Sequence, residues 1–503
     1  MRFQFPTGQR SVQYLWIGLL ILSLVVQSAF EEQGAIITGI MIVVLSTFRF
    51  CCHKEWSQDV LTSPDHFTTT EINGSHDLDS SAAESIEDYD AEQRGEDDEY
   101  QPLQDDLLDQ ASPSLMQDSR KRLIFLDNIK TFLTAVVVSH HVSCAFGGCG
   151  RSWFLCVGND GSAIFQRIIG SFTLLNQGYF MSLFFFISAY FVPLSYSRRG
   201  STSFVAGKKK RLLLPALFTV FALAPACIGF SFYISGEKNI PYLPTPAHAW
   251  FLFWLLMLNW AYISITESTS SVPQELTTSL TSERPFPSTS KRMFLGVLVC
   301  GFMMLIVVIV SPEPFAAMPI TVGSLTCDLL MFYAGILARN HDWLEKDLVG
   351  QLDIHPILLF CFVILEGGGL ALLAPMLQST GYAVLFFAVA GMYCLDMSLL
   401  VLLVFQRWLN FENKTSQMLA RAAYGVYVFH PVVVCGMTAA YIRLYNHLSS
   451  SDKIIFEDPT VPFGEGGGKY YSLGWIFVNV SSHLIVWPLA YALICLPGIK
   501  SIL

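Results

Sequence analysis

Charged residues are scarce in this chain: Asp, Glu, Lys and Arg make up 14% of its 503 residues, whereas 52% are hydrophobic. Soluble domains typically carry about 25% charged residues, so the deficit excludes an ordinary globular protein and indicates many lipid-facing segments. The mean hydropathy of +0.47 agrees. Composition therefore predicts an integral membrane protein.

The twelve cysteines include no pair with CxxC spacing, which argues against a zinc site, and the chain is too long for a small disulfide scaffold. We expect no bound metal. Cys144, Cys149 and Cys156 lie in or beside the first long connection. A Cys149–Cys156 disulfide is compatible with the sequence if that connection faces an oxidising compartment.

Basic residues are nearly absent from residues 71–118, which hold sixteen acidic residues and one arginine, Arg94. This stretch carries a net charge of −15, so the total of −10 leaves +5 for the rest of the chain. Aromatic and β-branched residues are also few, so the stretch cannot bury enough apolar surface to fold alone. We predict that residues 54–119 form a disordered acidic segment, for which a solubilising role is favoured over partner docking.

Long apolar runs, in contrast, are abundant. A hydrocarbon core about 30 Å thick needs about 20 apolar residues in a helix. We predict an all-α integral membrane protein with two transmembrane helices within residues 1–53, the first an anchor rather than a signal peptide, and a ten-helix domain within residues 120–503. The predicted core spans lie near 123–145, 176–196, 211–233, 248–265, 293–311, 320–339, 355–375, 380–405, 417–445 and 472–495.

Lysine and arginine set the predicted orientation, because short cytoplasmic loops carry the excess of these residues. The strongest marker is the connection between the second and third core spans, which we read as a cytoplasmic loop. Both termini and the acidic segment then lie in the cytoplasm, and residues 146–175 and 446–471 form the long outer loops. The basic residues of the marker are Arg198, Arg199, Lys208, Lys209, Lys210 and Arg211.

The first core span holds four ionisable residues: Asp127, Lys130, His140 and His141. Each costs at least roughly 2.5 to 3.5 kcal/mol at the centre of a membrane helix, so the set points to function. Lys130 and His141 are eleven residues apart, about three turns plus 20°, and share one helix face over about 16 Å. Asp127 precedes Lys130 by three residues, close enough for an ion pair. One face therefore joins a cytoplasmic cation to an imidazole near the outer side.

His141 is the candidate general base, because a neutral buried imidazole keeps one ring nitrogen free to accept a proton. The alternative is a packed histidine that donates to a neighbouring carbonyl. That alternative is favoured for His140, whose direction on the helix differs by about 100°.

Two further histidines are weaker candidates. His248 opens a span beside Trp250, where an interfacial anchor is the favoured interpretation. His430 precedes Pro431, which frees a backbone carbonyl that His430 can cap. A functional and a capping role are about equally supported for His430.

The stretch LDNIKTFLTAVVVSHHVSCAFGG resembles the first core helix of the membrane acyltransferase 3 family, especially its glucan-modifying O-acyltransferases. Four further stretches follow in the family's order, and the resemblance covers residues 122 to about 496. No single one of these motifs is very specific to the family, but the occurrence of all five in the family's order is specific. The four are FFFISAYFVPLSYSRRGSTSFVAGKKKRLLLPAL (184–217), HAWFLFWLL (248–256), MFYAGILARN (331–340) and AYGVYVFHPVVV (423–434).

The resemblance implies transfer of an acyl group, commonly acetyl, from cytoplasmic acyl-CoA to a hydroxyl on a carbohydrate or lipid-linked acceptor. Acyl-CoA would be a cosubstrate, with no permanently bound cofactor, and the partners would be membrane lipid, donor and acceptor but no nucleic acid. His141 would deprotonate the acceptor, and Lys130 would engage the anionic donor. The residues that would attract CoA phosphates, unless they serve orientation alone, are Lys208, Lys209, Lys210 and Arg211.

Two positions depart from the family pattern. Lys130 stands where the family has an arginine, and lysine lacks the planar group that grips phosphate or carboxylate from two sides. Phe253 stands where many relatives have an acid. A catalytically inactive relative that binds a lipid or partner is therefore one alternative.

A proton-coupled membrane transporter is another alternative, because Asp328, Glu366 and Asp396 fall within predicted late spans. No convincing internal repeat accompanies them, which weakens a transporter built from inverted halves. Transport needs a proton gradient and survives removal of acyl-CoA, whereas catalysis needs acyl-CoA and no gradient.

Overall fold

Helices make up nearly all the regular structure in this computed structural model of the protein. The described residues are 123–150, 153–158, 160–269, 284–302, 324–377, 380–496, 499 and 502. The two predicted N-terminal spans and the predicted disordered segment lie outside these residues.

The helices are named α1 to α12 in chain order. They are α1 (Ile124–Ala145), α2 (Ala163–Gln177), α3 (Phe180–Tyr190), α4 (Val192–Ser235), α5 (Trp250–Thr269), α6 (Thr289–Phe294, continued by Leu295–Gly301), α7 (Ser324–Asn340), α8 (Leu348–Gln351), α9 (Pro356–Leu373), α10 (Thr380–Trp408), α11 (Lys414–Leu448) and α12 (Tyr471–Ile494).

Within the described ranges, seven helical segments are long and apolar enough to cross a membrane: α2 with α3, α4, α5, α9, α10, α11 and α12. The chain is therefore a multi-pass, all-α membrane protein, as its composition predicts. Two other predicted core spans form α1, which carries four ionisable residues, and α7, which has 17 residues. The predicted span 293–311 begins in α6, and its remainder lies outside the described residues.

The first predicted outer loop, residues 146–175, is partly helical, so that prediction is wrong for its second half. α2 starts at Ala163, where the Ser162 side chain caps the helix by accepting from the Phe165 N–H. Ile164 and Ile168 are 73% and 60% exposed on α2, as lipid-facing side chains would be. The long span therefore begins well before residue 176.

The basic stretch predicted as a loop is helical too. α4 runs through Lys208 and Arg211, and the helix is kinked at Gly200, whose φ is 70°. Straight-chain residues such as lysine and arginine lose little side-chain freedom in a helix, so a dense basic stretch does not end one. The basic side chains thus lie on a helix.

α1 lies between the two hydrophobic clusters of the bundle. Leu126 and Leu133 belong to the first cluster, to which α3 and α10 also contribute. Val138 and Val142 belong to the second cluster, with α12 and most of the buried side chains of α11. α1 packs against all four of these helices. Apolar side chains buried on both sides fix the rotation of α1 and hold its histidines inside the bundle.

Candidate functional site

Four histidines from three parts of the chain meet inside the bundle. His140 and His141 come from the C-terminal half of α1, His248 from the turn before α5, and His430 from α11. Ring centroids are 5.4 Å apart for His140 and His141, and 4.8 Å apart for His141 and His430. The His248 and His430 centroids are 5.1 Å apart. We call these four residues the histidine cluster.

Pro431 sets the hydrogen bonding of His430. Its ring removes the backbone N–H that would bond the Tyr427 carbonyl four residues earlier. His430 Nδ1 lies 2.8 Å from that carbonyl oxygen and donates to it, so the predicted capping contact is present. A neutral His430 with its proton on Nδ1 has a bare Nε2, which acts as an acceptor.

His141 supplies the donor for that acceptor. Its Nδ1 lies 2.9 Å from His430 Nε2, so the His141 proton is on Nδ1 and the lone pair is on Nε2. His141 is half-buried, whereas His140, His248 and His430 are 6%, 6% and 0% exposed. His141 is therefore the most exposed member of the cluster, and the His430 contact leaves its basic nitrogen, Nε2, free.

His248 is part of the cluster rather than a surface anchor, which overturns the favoured interpretation. Its Nε2 donates to the Val428 carbonyl at 3.1 Å, and the Tyr427 hydroxyl donates to the His248 carbonyl. Its Nδ1 is then an acceptor, which is buried and has no partner among the described residues. Phe253, in the same stretch of α5, packs against the first hydrophobic cluster.

Trp153, in the connection after α1, packs on the cluster, and no sequence pattern singles it out. Its ring stacks on His141 with centroids 4.3 Å apart and planes 21° apart. Its indole Nε1 is buried and has no hydrogen-bond partner in the described part of the chain. A loop tryptophan inserted among histidines carries no periodicity or spacing that would predict the contact.

The disulfide joins Cys144 to Cys149, so the Cys149–Cys156 pairing compatible with the sequence is not the one formed. Cys144 lies in the last turn of α1, and Cys149 follows it by five residues. This short separation lets the two sulfurs meet. His140 Nε2 lies 3.8 Å from Cys149 Sγ. Ligand atoms of these three residues lie within 4.8 Å of one another, but the disulfide occupies both sulfurs.

The N-terminal half of α1 carries the predicted ion pair. Lys130 Nζ lies 3.1 Å from Asp127 Oδ1, and the two side chains are 35% and 22% exposed. The same ammonium lies 4.5 Å from the centroid of the Phe191 ring. Lys130 is thus half-buried and already paired, in a position about 16 Å along the helix from His141.

The basic residues of α4 are divided by exposure. Lys209 and Lys210 are exposed, whereas Lys208 and Arg211 are half-buried. Lys208 Nζ lies 5.0 Å from the Phe204 ring centroid, and the Arg211 carbonyl accepts from the Tyr424 hydroxyl. Tyr424 precedes His430 by six residues on α11, so Arg211 lies along the helix that carries His430. The structure brings none of these four basic residues into the histidine cluster.

The three intramembrane acids lie on α7, α9 and α10. Asp396 Oδ1 lies 3.1 Å from Arg292 Nε, in an ion pair that the sequence did not suggest. Asp328 accepts from the Ser182 hydroxyl at 2.6 Å, and Glu366 is 7% exposed. Two of the three acids therefore have partners on neighbouring helices, which lowers the cost of burying them.

A separate set of hydrogen bonds, centred on His483, connects α1 to α12. Trp487 Nε1 donates to His483 Nδ1 at 3.3 Å, which leaves the His483 proton on Nε2. His483 Nε2 then donates to Ser139 Oγ at 3.0 Å, and Ser139 donates to Asn479 Oδ1 at 3.1 Å. His483 cannot take a proton from Ser139, so these residues are a helix-to-helix contact and not a nucleophile with its base.

A family model described as an acyltransferase domain matches residues 123–496. The matched range includes the whole histidine cluster, Lys130 and Trp153. No curated protein and no solved structure matches the chain.

Proposed function

Since the chain belongs to the acyltransferase 3 family and crosses the membrane several times, we propose that it transfers an acyl group, acetyl in the expected case, from cytoplasmic acyl-CoA to an acceptor hydroxyl. The acceptor is a carbohydrate or a lipid-linked molecule that meets the donor inside the bundle. Acyl-CoA is a cosubstrate, and no permanently bound cofactor takes part.

The contact between His141 and His430 carries this proposal. A general base needs a lone pair aimed at its substrate and a second nitrogen held by another group. The His430 contact holds His141 Nδ1 at 2.9 Å and leaves Nε2 bare. His430 is itself fixed by the Tyr427 carbonyl. The arrangement resembles a catalytic triad in which a second histidine takes the place of the acid.

In the proposed reaction, His141 Nε2 accepts the proton of the acceptor hydroxyl as that oxygen attacks the thioester carbonyl carbon. The carbon–sulfur bond then breaks, and the CoA thiolate leaves with the proton from His141. The ester forms and the imidazole returns to its neutral state, so no other proton source is required.

Lys130 is the proposed contact for the anionic donor. Its ammonium is half-buried and shares the helix face of His141, so a donor bound near it can extend its acyl end along that face. The Asp127 pairing lowers the cost of the buried charge. The two exposed lysines of α4, Lys209 and Lys210, attract CoA phosphates at longer range.

The proposed orientation places both termini in the cytoplasm and the histidine cluster near the outer side. The Cys144–Cys149 disulfide supports this orientation, because disulfides persist in oxidising compartments outside the cytoplasm. Membrane lipid surrounds the exposed faces of α2, α9 and α12. The acceptor approaches from the outer side, where Trp153 covers the cluster.

The test uses purified protein in vesicles with radiolabelled acetyl-CoA and mixed glycan acceptors. We expect His141→Ala to lower transfer by roughly 100- to 10,000-fold, the usual contribution of a general base. His447→Ala is the matched control, because His447 is exposed near the end of α11. Equal transfer by the native protein and His141→Ala would refute the mechanism.

The same vesicles separate catalysis from the alternatives. Substrate uptake that needs a proton gradient and continues without acetyl-CoA would indicate transport. No transfer by the native protein with any acceptor or acyl donor would indicate an inactive relative.

A further inference from the structure

Trp153 presents a hydrogen-bond donor that nothing in the described part of the chain satisfies. Its Nε1 is buried, and a buried N–H without an acceptor costs about 1–3 kcal/mol. Native structures rarely leave such a group, and where they do it calls for an explanation such as a catalytic role. The indole ring that carries this N–H stacks on the candidate base His141, and that contact supplies one.

The N–H groups of three members of the histidine cluster are already engaged. His141 Nδ1 donates to His430, and His430 Nδ1 donates to the Tyr427 carbonyl. His248 Nε2 donates to the Val428 carbonyl. His140 Nε2 lies 3.8 Å from Cys149 Sγ, a weak acceptor, and its Nδ1 is buried without a partner among the described residues. The indole N–H is thus the unengaged donor carried by the ring that stacks on the candidate base His141.

We propose that the Trp153 indole N–H binds the thioester carbonyl oxygen as that oxygen becomes negative during acyl transfer. This inference rests on the acyltransferase function proposed above. When the acceptor oxygen bonds to the carbonyl carbon, the electron pair of the C=O double bond moves to its oxygen, and His141 holds the hydroxyl proton. When the double bond re-forms, the carbon–sulfur bond breaks, and the thiolate takes that proton. Trp153 is unchanged throughout.

The backbone around Trp153 is fixed in a way that suits this role. Cys156 N donates to the Pro462 carbonyl at 3.0 Å, and Gly464 N donates to the Cys156 carbonyl at 2.8 Å. Val157 N donates to the Ala145 carbonyl at the end of α1, also at 2.8 Å. The segment is therefore tied both to the connection between α11 and α12 and to the helix of the base. A hydrogen-bond donor that is already in position stabilises the negative charge that develops on the oxygen, and the protein does not have to rearrange during the reaction.

Trp153→Phe tests the inference, because phenylalanine keeps an aromatic ring on His141 and lacks the N–H. We expect kcat for acetyl transfer to fall by about 100-fold, the usual effect of losing one oxyanion donor, with KM for acetyl-CoA and the shape of the pH profile unchanged. Replacement of Trp153 by 3-benzothienylalanine preserves the bicyclic shape without the N–H and should lower kcat equally. Thermal unfolding in detergent should be unaffected by the benzothienyl variant.

Trp475→Phe is the matched control. Trp475 Nε1 donates to Ser143 Oγ at 3.0 Å, so this change removes an indole N–H that contacts α1 away from the histidine cluster. We expect its kcat to stay near that of the native protein. If the benzothienyl variant keeps full kcat while His141→Ala is inactive, the Trp153 inference is wrong and the proposed function stands. If the native protein transfers no acyl group, both are wrong.

Discussion

His430 shows how one local feature of the chain can orient a distant side chain. Pro431 frees the Tyr427 carbonyl, His430 Nδ1 bonds it, and His430 Nε2 is left to accept from His141. We predict that His430→Leu lowers kcat by about 100-fold or more, because His141 loses the contact that fixes its proton on Nδ1. Acetyl transfer measured at saturating acetyl-CoA checks this.

His430→Gln supplies the comparison. The glutamine carbonyl oxygen can accept from His141 Nδ1, so this variant should retain more activity than His430→Leu. If leucine and glutamine reduce kcat equally while both proteins unfold at the native temperature, His430 does not act through its acceptor.

For individual residues, the sequence predicts contacts within one helix but does not predict contacts between different helices of the bundle. The Asp127–Lys130 pair and the capping of Tyr427 by His430 each span three residues, and both are present. His141 and His430 are 289 positions apart, so their hydrogen bond depends on how α1 and α11 pack. No pattern in a single sequence encodes that distance.

Among the helices, the pair α3 and α7 shows why a glycine belongs in the stretch MFYAGILARN. A Cβ built on Gly335 would overlap the Phe186 carbonyl oxygen and lie 2.9 Å from Ala189 Cβ. We predict that Gly335→Ala destabilises the protein by about 1–3 kcal/mol, because backbone must move to admit the methyl group. Thermal unfolding in a fixed detergent measures the effect.

Gly368→Ala is the control for this substitution. Gly368 lies on α9, and a Cβ there meets no atom within 4 Å. Alanine should leave stability unchanged or raise it, since alanine favours helix by up to about 1 kcal/mol over glycine. Equal unfolding temperatures for the two variants would show that α3 and α7 are not in close contact.

The start of α6 gives a pH-dependent contact between elements. Thr289 donates to Asp353 through its hydroxyl at 2.6 Å and through its backbone N–H at 2.8 Å. The Thr289 hydroxyl and N–H lower the pKa of Asp353 below its ordinary 3.8. Because the pKa of Asp353 is lower in the folded protein than in the unfolded chain, the ionised carboxylate stabilises the fold at pH values above the ordinary pKa. This stabilisation is lost as the pH falls through the pKa of the folded protein.

We therefore predict that Asp353→Asn lowers the unfolding temperature near neutral pH and that its difference from the native protein shrinks in acid. Asn keeps one acceptor oxygen but cannot ionise, so only the charge-dependent part is removed. Asp353 is exposed, so the difference should be small. Unfolding scans from about pH 7 to about pH 3 measure it, and a difference that does not change with pH would contradict the assignment.

The elements also show where sequence patterns are ambiguous. Every predicted core span overlaps a helix, because an apolar run of about 20 residues has few other structures available in lipid. The errors are at connections: polar residues after α1 conceal the start of α2, and the basic stretch of α4 remains helical. Charged and polar residues indicate where the chain contacts water, but they do not indicate where a helix ends.

Over the whole molecule, α1 connects the two hydrophobic clusters and carries the half-buried cation and the candidate base in opposite halves of one helix. Its ion pair, its disulfide and its bonds to α12 all act on the same helix. Acyl transfer between a cytoplasmic donor and an outer acceptor requires that one end of α1 face each compartment. The function proposed here therefore depends on the orientation of the entire bundle.

Cysteine labelling tests that orientation with a matched pair of serines. Ser203 is exposed in the basic part of α4, and Ser451 is exposed in the connection between α11 and α12. In sealed vesicles with the cytoplasmic face outward, a membrane-impermeant maleimide should label Ser203→Cys at once and Ser451→Cys only after permeabilisation. The native protein, which retains exposed Cys361 and Cys495, gives the background. The reverse pattern would place the basic residues outside and the disulfide in the reducing cytoplasm, and the donor and acceptor would then have to exchange sides.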